Sequence, residues 1–377
     1  MELTSRICKS YKSSLDNKEI EKHDDVSQDS MWIHWIKPKI KDILIDCYNN
    51  NIEKTYYNLS KPYKNDITFG FDDFFMFKTF KELEIFNNQI KDCLIKLCKS
   101  LGLLRVFNPE GGERPDLYNI NIDTEYILLE LDKYFGFKID FPDIFEKDEY
   151  YNWVAYVNMN KDLQNAGIIT EEAANRHYNN HGKYEKRIYN GDMGLFTSRG
   201  VIKMRSVHSL HFMSRIKETL KKNIINSTIL EIGGGLGRNA YYAKKLGVKQ
   251  YIIIDLPSSS IMSSYYLGKT LGEENITLYG ENTNNYAHIL PPIKYTNNLN
   301  VDLIVQFDGL TEMGLINSEN YINKFHKISP LFLSINHEAN TYTVNDLYKK
   351  NKNIICSYRF PSWYRDGYVE ELLRRVM

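Results

Sequence analysis

The stretch from Thr228 to Pro257, TILEIGGGLGRNAYYAKKLGVKQYIIIDLP, constrains the fold more than any other part of the chain. Its apolar and β-branched residues Thr228, Ile229, Leu230 and Ile232 surround Glu231 and read as a buried parallel strand. That strand runs straight into Gly233, Gly234, Gly235 and Gly237, where the missing side chains let the backbone turn sharply and bring its amides close to a ligand. A helix pattern follows, then a second strand that ends at Asp255 with Leu256 beside it, about 20 residues past the glycines. In this topology a carboxylate at that place accepts hydrogen bonds from both hydroxyls of a ribose. The segment therefore reads as a nucleotide-cofactor cradle.

A dinucleotide loop follows G-x-G-x-x-G/A, in which the third small residue lets helix and strand pack closely and the helix N-terminus faces a pyrophosphate. Here that position is Arg238. The register that fits is E-x-G-x-G-x-G, with Glu231 two residues before Gly233, Gly235 and Gly237. A carboxylate at that point repels a pyrophosphate and suits a ligand carrying an ammonium and a sulfonium. The pattern resembles motif I of the Rossmann-like S-adenosylmethionine (SAM) methyltransferases. A glycine triplet also occurs in plain turns, and an NAD-dependent sugar oxidoreductase shares the strand-loop-strand unit, so both remain alternatives at this point.

At 377 residues the chain is long enough for two domains or for one large domain with additions. Lys plus Arg equals Asp plus Glu at 48 each, the formal charge is +0, and the pI is near 7.1. This balance disfavours nucleic acid as the main substrate. Five scattered cysteines without a C-x-x-C or Cys/His cluster argue against a disulfide framework or a zinc site. The N-terminus MELTSRICKSYKSS has no apolar signal core, and no apolar run is long enough to span a bilayer, so a cytoplasmic protein is expected. The sequence does not specify an oligomeric state.

Along the chain, residues 1–30 are polar, with the run DNKEIEKHDDVSQDS, and predict a disordered or loosely attached arm. Residues 31–150 carry helical spacing: Trp32, Trp35, Ile36, Ile40, Ile43 and Leu44 form one stripe, and Leu94, Ile95, Leu97 and Leu101 form another that ends at Gly102. The loop NPEGGERPD and a helix over Thr124 to Phe135 follow. Residues 151–190 read as an inserted small helical module, with a helix opened by Thr170, Glu172 and Ala173 and a stop at Gly182. Its His177 and His181, spaced i and i+4, lack a third ligand and read as packing or surface residues.

Residues 191–377 predict the catalytic domain. Strands at 228–232, 250–255, 275–280, 301–307, 331–336 and 353–359 alternate with helices, which gives an α/β fold: a mostly parallel sheet with helices on both faces, preceded by a mainly helical N-terminal region. Ligands in such sheets bind outside the carboxyl ends of the strands. That rule selects the glycine loop, Asp255, the turn at Glu281 and Asn282, and Asp308 with Gly309.

The strings TSRG (197–200), LEIGGGLGRNAYYAKKLG (230–247), YIIIDLP (251–257), TEM (311–313), SINHE (334–338) and RFPSWYRDGYVEEL (359–372) carry a more specific likeness. From about Met193 onward the chain resembles a family of sugar O-methyltransferases found among capsule and surface-glycan genes. It departs from that family at Asp308-Gly309, where Asp-Ser is common. The 151–190 segment, through Tyr156, Asp162, Leu163, Gly167, His177, His181, Gly182 and Arg187, resembles a short module attached to glycan-building proteins. The resemblance implies a Rossmann-like SAM methyltransferase fold, SAM as cofactor, and as acceptor a sugar hydroxyl of a surface or capsular glycan or of its nucleotide-linked precursor.

A sugar hydroxyl is a weak acid, so a base, a divalent metal such as Mg, or both are expected near it. His337 at the end of the fifth strand is the first candidate base, with Glu338 beside it to orient the imidazole. Asp308 is the second candidate, or else a holder of the SAM amino group. Arg199 and Arg205 are candidate clamps for the SAM carboxylate or for a nucleotide-sugar phosphate. Trp363, Tyr364 and Arg365, with His208 and His211, are candidate acceptor-side residues; flat aromatic faces stack on sugar rings. A non-catalytic glycan-binding or assembly protein with a residual cofactor fold is the remaining alternative.

Overall fold

The computed structural model describes residues 1–16, 40–61, 77–104, 123–142, 144, 152–187, 193–362 and 364–376. The chain divides into two compact units, Met1–Phe71 with Phe212–Met377, and Asp72–His211. The expected loop NPEGGERPD and the stripe residues Trp32, Trp35 and Ile36 lie outside the described residues.

The first unit is built on an eight-stranded sheet, β3 (Thr228–Ile232), β4 (Gln250–Ile254), β5 (Ile276–Leu278), β6 (Ala287–Leu290), β7 (Leu303–Phe307), β8 (Leu331–His337), β9 (Ile354–Pro361) and β10 (Tyr368–Arg375), in the order β5-β6-β4-β3-β7-β8-β10-β9. The pairs from β5 to β8 are parallel, and β10 runs antiparallel between β8 and β9. Central parallel strands are covered on both faces, which is why QYIII and LIVQF are near-continuous apolar runs. The outermost β9 alternates buried and open positions instead. Chain direction across the sheet reverses at β3, which pairs with β4 on one side and β7 on the other, so the crevice for a ligand lies at the carboxyl ends of these strands.

Two strands differ from the sequence reading. The neighbour of β4 is β6, over 287–290, and the expected strand near 275–280 is the short edge strand β5. The C-terminal residues add β10, whose Glu370 and Glu371 are 2% and 1% exposed. Burying two acids is tolerable only with partners. Glu370 accepts from the Arg215 Nε and Nη2 at 2.8–3.0 Å and from the Tyr358 hydroxyl at 2.9 Å, and Glu371 accepts from Arg359 Nε at 3.0 Å and the Tyr348 hydroxyl at 3.2 Å.

Helices α1 (Glu2–Asp16), α2 (Lys41–Tyr48) and α3 (Ile52–Ser60) belong to this unit. The loosely attached arm expected of residues 1–30 is replaced over 2–16 by α1, because Leu3, Ile7, Cys8 and Tyr11 recur on one helical face and are buried. Ile40, Ile43 and Leu44 are buried as their spacing predicts.

The second unit holds α4 (Phe80–Ser100), α5 (Thr124–Phe135), α6 (Trp153–Met159), α7 (Lys161–Asn165), α8 (Glu171–His177) and the hairpin β1 (Leu195–Thr197)–β2 (Gly200–Ile202). Thr79 and Glu82 form a capping box at the start of α4, and Thr170 caps α8. Within the expected inserted module, Tyr156 is fully buried and its hydroxyl meets His177 Nδ1 at 2.8 Å. Val154 and Ala155 pack with Leu83 and Met193, and Asn158 bonds both Asn87 and the Gly194 carbonyl, so the segment is knit into this unit. A further helix, α9 (Met204–Leu220), contains the division between the units. Among the described residues no helix is long and apolar enough to cross a membrane.

Candidate functional site

At the carboxyl end of β3, Gly233, Gly235 and Gly237 take φ of +76°, +55° and +90°, the left-handed region that favours glycine. The Gly233 N–H donates to the Ile254 carbonyl at 2.9 Å, which joins the loop to the end of β4. A Cβ on Gly234 would press Ile253 at 2.7 Å and one on Gly237 would meet Leu267 at 3.0 Å, so these two serve packing. A Cβ on Gly235 would meet nothing within 4 Å. Only this crest of the loop faces open space.

Asp255 follows β4 and lies across from that crest. Its Oδ2 accepts from the Gly235 N–H at 2.9 Å and its Oδ1 from the Leu256 N–H at 2.8 Å, and the group is half-exposed. The following helix α11 (Pro257–Leu271) starts with proline at its first position, and Leu256 is its half-buried cap. The loop helix, α10 (Arg238–Lys245), begins at Gly237.

Glu231 does not face a ligand. It is 2% exposed, its Oε1 accepts from Asn239 Nδ2 at 2.6 Å, and its Oε2 accepts from the Tyr251 hydroxyl at 3.0 Å. It is an internal brace joining β3, β4 and α10, where an ammonium partner was expected. Burial pushes its carboxyl up to about 7, against the two hydrogen bonds that favour the charged form. A folded pKa above the unfolded value means the unfolded chain ionises first, so stability is lost as pH rises from about 4.5 to 7. A rise of roughly 2.5 units corresponds to about 3 kcal/mol at most. Glu231→Gln is therefore expected to gain stability relative to wild type across that window and to run parallel to it above pH 7.5. Denaturant melts at several pH values check this; a difference that does not change with pH would show that Glu231 stays ionised in the fold.

A second group of side chains sits at the carboxyl ends of β7 and β8. Asp308, just past β7, has φ of +66° although it is not glycine, a strained conformation that surrounding contacts must hold. Its Oδ2 accepts from Arg365 Nη1 at 2.7 Å and its Oδ1 from the Tyr368 hydroxyl. The Arg365 guanidinium lies 3.8 Å from the centre of the Tyr368 ring. Burial and then the Asp308 charge raise the Tyr368 hydroxyl well above its usual range, so it stays a donor.

His337 closes β8. Its Nε2 lies 2.9 Å from Glu312 Oε1, and its Nδ1 receives a long contact of 3.4 Å from the Ala339 N–H. These partners fix the tautomer with the proton on Nε2, donated to Glu312, and a lone pair on Nδ1. Glu312 takes the orienting role expected of Glu338. Glu338 is exposed and pairs with Arg359, since adjacent residues at a strand end project in different directions. Asp308, Glu312 and His337 each offer a ligand atom within 4.8 Å of the others.

The remaining candidates fall elsewhere. Glu281 is held by Arg6 and the Leu278 N–H beyond the outermost strand, with exposed Asn282 next to it, because β6 rather than β5 adjoins β4. Arg199 is no open clamp: its buried side chain donates to both oxygens of Asp132 at 2.9 and 2.7 Å and to the Ile139 carbonyl at 3.3 Å. Arg205, His208 and His211 lie on α9, the first two half-buried and His211 buried at 2% exposure. Tyr364 is 3% exposed and offers no stacking face, and Trp363 lies outside the described residues. Asn239, Tyr251, Glu312 and Tyr368 are site residues that the sequence reading missed. Glu312 and Tyr368 stand inside the quoted strings TEM and RFPSWYRDGYVEEL, the only signal for them.

No protein-family model and no curated protein matches the chain. Solved structures similar to it include a ribosomal protein L11 methylase from Lactobacillus delbrueckii subsp. bulgaricus, at 12% identity and a TM-score of 0.34, covering 49% of this chain and 90% of that one. Others are a SAM-dependent methyltransferase from Clostridium acetobutylicum, at 9% identity and a TM-score of 0.34 over 43% of this chain and 89% of that one, and a mitomycin 7-O-methyltransferase, at 11% and 0.30 over 46% and 57%. The chain's own strand order, with a doubly wound parallel sheet and one antiparallel strand next to its edge, is that of a Rossmann-like α/β fold.

Proposed function

We propose that the protein is a SAM-dependent O-methyltransferase whose acceptor is a sugar hydroxyl of a surface or capsular glycan or of its nucleotide-linked precursor. The observation that carries this reading is the open crest at Gly235 facing the Asp255 carboxylate, on the same edge of the sheet as a histidine–carboxylate pair. The ribose hydroxyls would meet Asp255, and the loop amides would approach the ligand backbone-first because Gly235 has no side chain. Bound there, SAM would supply an electrophilic methyl group on a sulfonium, with the thioether as leaving group. His337 Nδ1 takes the proton that the hydroxyl loses, and Glu312 stabilises the imidazolium through Nε2. Asp308, held by Arg365 and Tyr368, is a hydrogen-bond acceptor for a second hydroxyl. The sugar class is supported by the likeness of the TSRG, SINHE and RFPSWYRDGYVEEL strings. Arg238, stacked over Tyr266 at 5.8 Å where a dinucleotide loop needs a small residue, speaks against NAD.

The convergence of Asp308, Glu312 and His337 also favours a second reading, in which these three hold a divalent ion that polarises the acceptor. Isothermal titration with SAM, S-adenosylhomocysteine and NAD in parallel tests the main reading. Both sulfur ligands are expected to bind and NAD to give no heat; binding of NAD alone would establish the oxidoreductase instead, and binding of none the non-catalytic alternative.

A further inference from the structure

We infer that the edge of the large sheet opposite the candidate site docks on an anionic lipid bilayer. The parallel strands begin at this edge, and β10, which runs the other way, ends here, with Arg374 paired to Leu331 at the start of β8. Four segments far apart in sequence therefore come side by side. A short helix over Lys221–Asn226 precedes β3, Lys249 precedes β4, Arg374 and Arg375 close β10, and Lys352 precedes β9. Backbone bonds join them in pairs: the Lys249 N–H donates to the Ser227 carbonyl at 3.1 Å, and the Val376 N–H to the Asn353 carbonyl at 2.8 Å.

Lys221, Lys222, Lys249, Lys352, Arg374 and Arg375 are exposed, and among the described residues none of them enters an ion pair. The acids of this part of the edge are committed elsewhere. Glu218 pairs with Arg215, Asp346 pairs with Lys349, and the Asp302 carboxylate accepts from the Thr228 N–H at 2.7 Å. A chain with no net charge thus gathers unpaired cations on one edge, while Asp255, Asp308, Glu312 and Glu338 stand at the other. Apolar side chains are exposed among these cations: Ile225, next to Gly247, at 63%, Ile355 at 56% and Val376 at 44%. From β3 to β10 is three strand positions, about 14 Å at the usual spacing, so the group forms one surface. A nucleic-acid duplex would reward the cations and not the isoleucines. An anionic bilayer takes both: each cation near its surface is worth roughly fivefold in affinity, and apolar side chains enter the boundary between headgroups and acyl chains. β3 is five residues long, about 16 Å, so the glycine loop and Asp255 face away from the bilayer and take their ligands from the aqueous side.

Flotation of the intact chain with lipid vesicles tests this, whatever cofactor the loop takes. Vesicles of equal parts phosphatidylglycerol and phosphatidylcholine are expected to carry the protein at low salt and to release it at high salt, and vesicles of phosphatidylcholine alone to leave it behind. Lys221→Glu with Lys222→Glu, or Arg374→Glu with Arg375→Glu, should weaken partitioning about tenfold or more. Lys294→Glu makes the same kind of charge reversal at an exposed position past the carboxyl end of β6, on the far edge, and should leave partitioning within about twofold. Ile225→Ser keeps every charge and should weaken vesicle binding about threefold or more, because it removes apolar surface from the contact. All these side chains are exposed, so the variants should keep the circular dichroism of wild type. Failure to float with anionic vesicles at low salt, equal partition into neutral vesicles, or a loss in Lys294→Glu as large as in the paired variants overturns the proposal. Binding to a DNA duplex without binding to vesicles overturns it as well and assigns the edge to nucleic acid.

Discussion

His337→Ala is expected to bind SAM with wild-type affinity and to turn over about 10²- to 10⁴-fold more slowly, the usual contribution of a positioned base. The two effects separate because His337 closes β8, whereas the glycine loop and Asp255 stand on β3 and β4. Glu312→Gln should fall between wild type and His337→Ala. Its side-chain carbonyl still accepts the Nε2 proton, but no negative charge opposes the imidazolium that forms. Glu338→Gln, by contrast, should leave the rate near wild type, since that side chain is committed to Arg359. Single-turnover rates with saturating SAM, alongside titration of the cofactor, give the comparison. Equal loss of binding and rate in His337→Ala would remove the base assignment. A wild-type rate that vanishes with a chelator and returns with magnesium or manganese would transfer the role to an ion held by Asp308, Glu312 and His337.

What was legible in the sequence is what local pattern encodes. The run from Thr228 to Pro257 gave β3, the loop, α10, β4 and the start of α11 almost to the residue, because parallel strands buried on both faces must be apolar and three left-handed positions must be glycine. Two strands of the eight-stranded sheet escaped for opposite reasons, and the short hairpin β1–β2 escaped as well. β6 is only four residues, AHIL, short enough to pass for loop beside the clearer ITLYG pattern of β5. β10 carries Glu370 and Glu371 in its middle, and their burial is compensated by Arg215 and Arg359, distant residues that no local window contains. The site shows the same limit. His337 at a strand end could be named from topology, but its partner Glu312 is 25 residues away and reaches it through a turn of helix after β7. Glu231 was recognised as part of a motif, yet the direction of its side chain depends on Asn239 and Tyr251, which take both carboxylate oxygens. Motif spacing fixes which residues occur together; which way each one points depends on partners set by the tertiary fold.

Gly235→Val is expected to abolish measurable SAM binding, a larger effect than that of Asp255→Ala, for which a loss of about 2 kcal/mol or more, near 30-fold in affinity, is expected. At φ of +55° a β-branched side chain is strained, which costs about 1–3 kcal/mol in the loop itself. The added methyls would also project into the one part of the loop where a Cβ has no neighbour within 4 Å, the space through which a ligand reaches the backbone. Asp255→Ala leaves that space open and removes only the carboxylate, so it loses the charge-assisted bonds to the ribose and the tie to the Gly235 N–H. Asp255→Asn separates these two contributions. Its amide oxygen still accepts from the Gly235 N–H and holds the loop, while the charge that favours two ribose hydroxyls is gone, so its affinity should lie between wild type and alanine. Calorimetric titration with SAM, on variants whose circular dichroism matches wild type, measures all three. A folded Gly235→Val protein with wild-type affinity would mean that the cofactor lies off the glycine loop, and unchanged affinity in Asp255→Ala would move the ribose to another strand end.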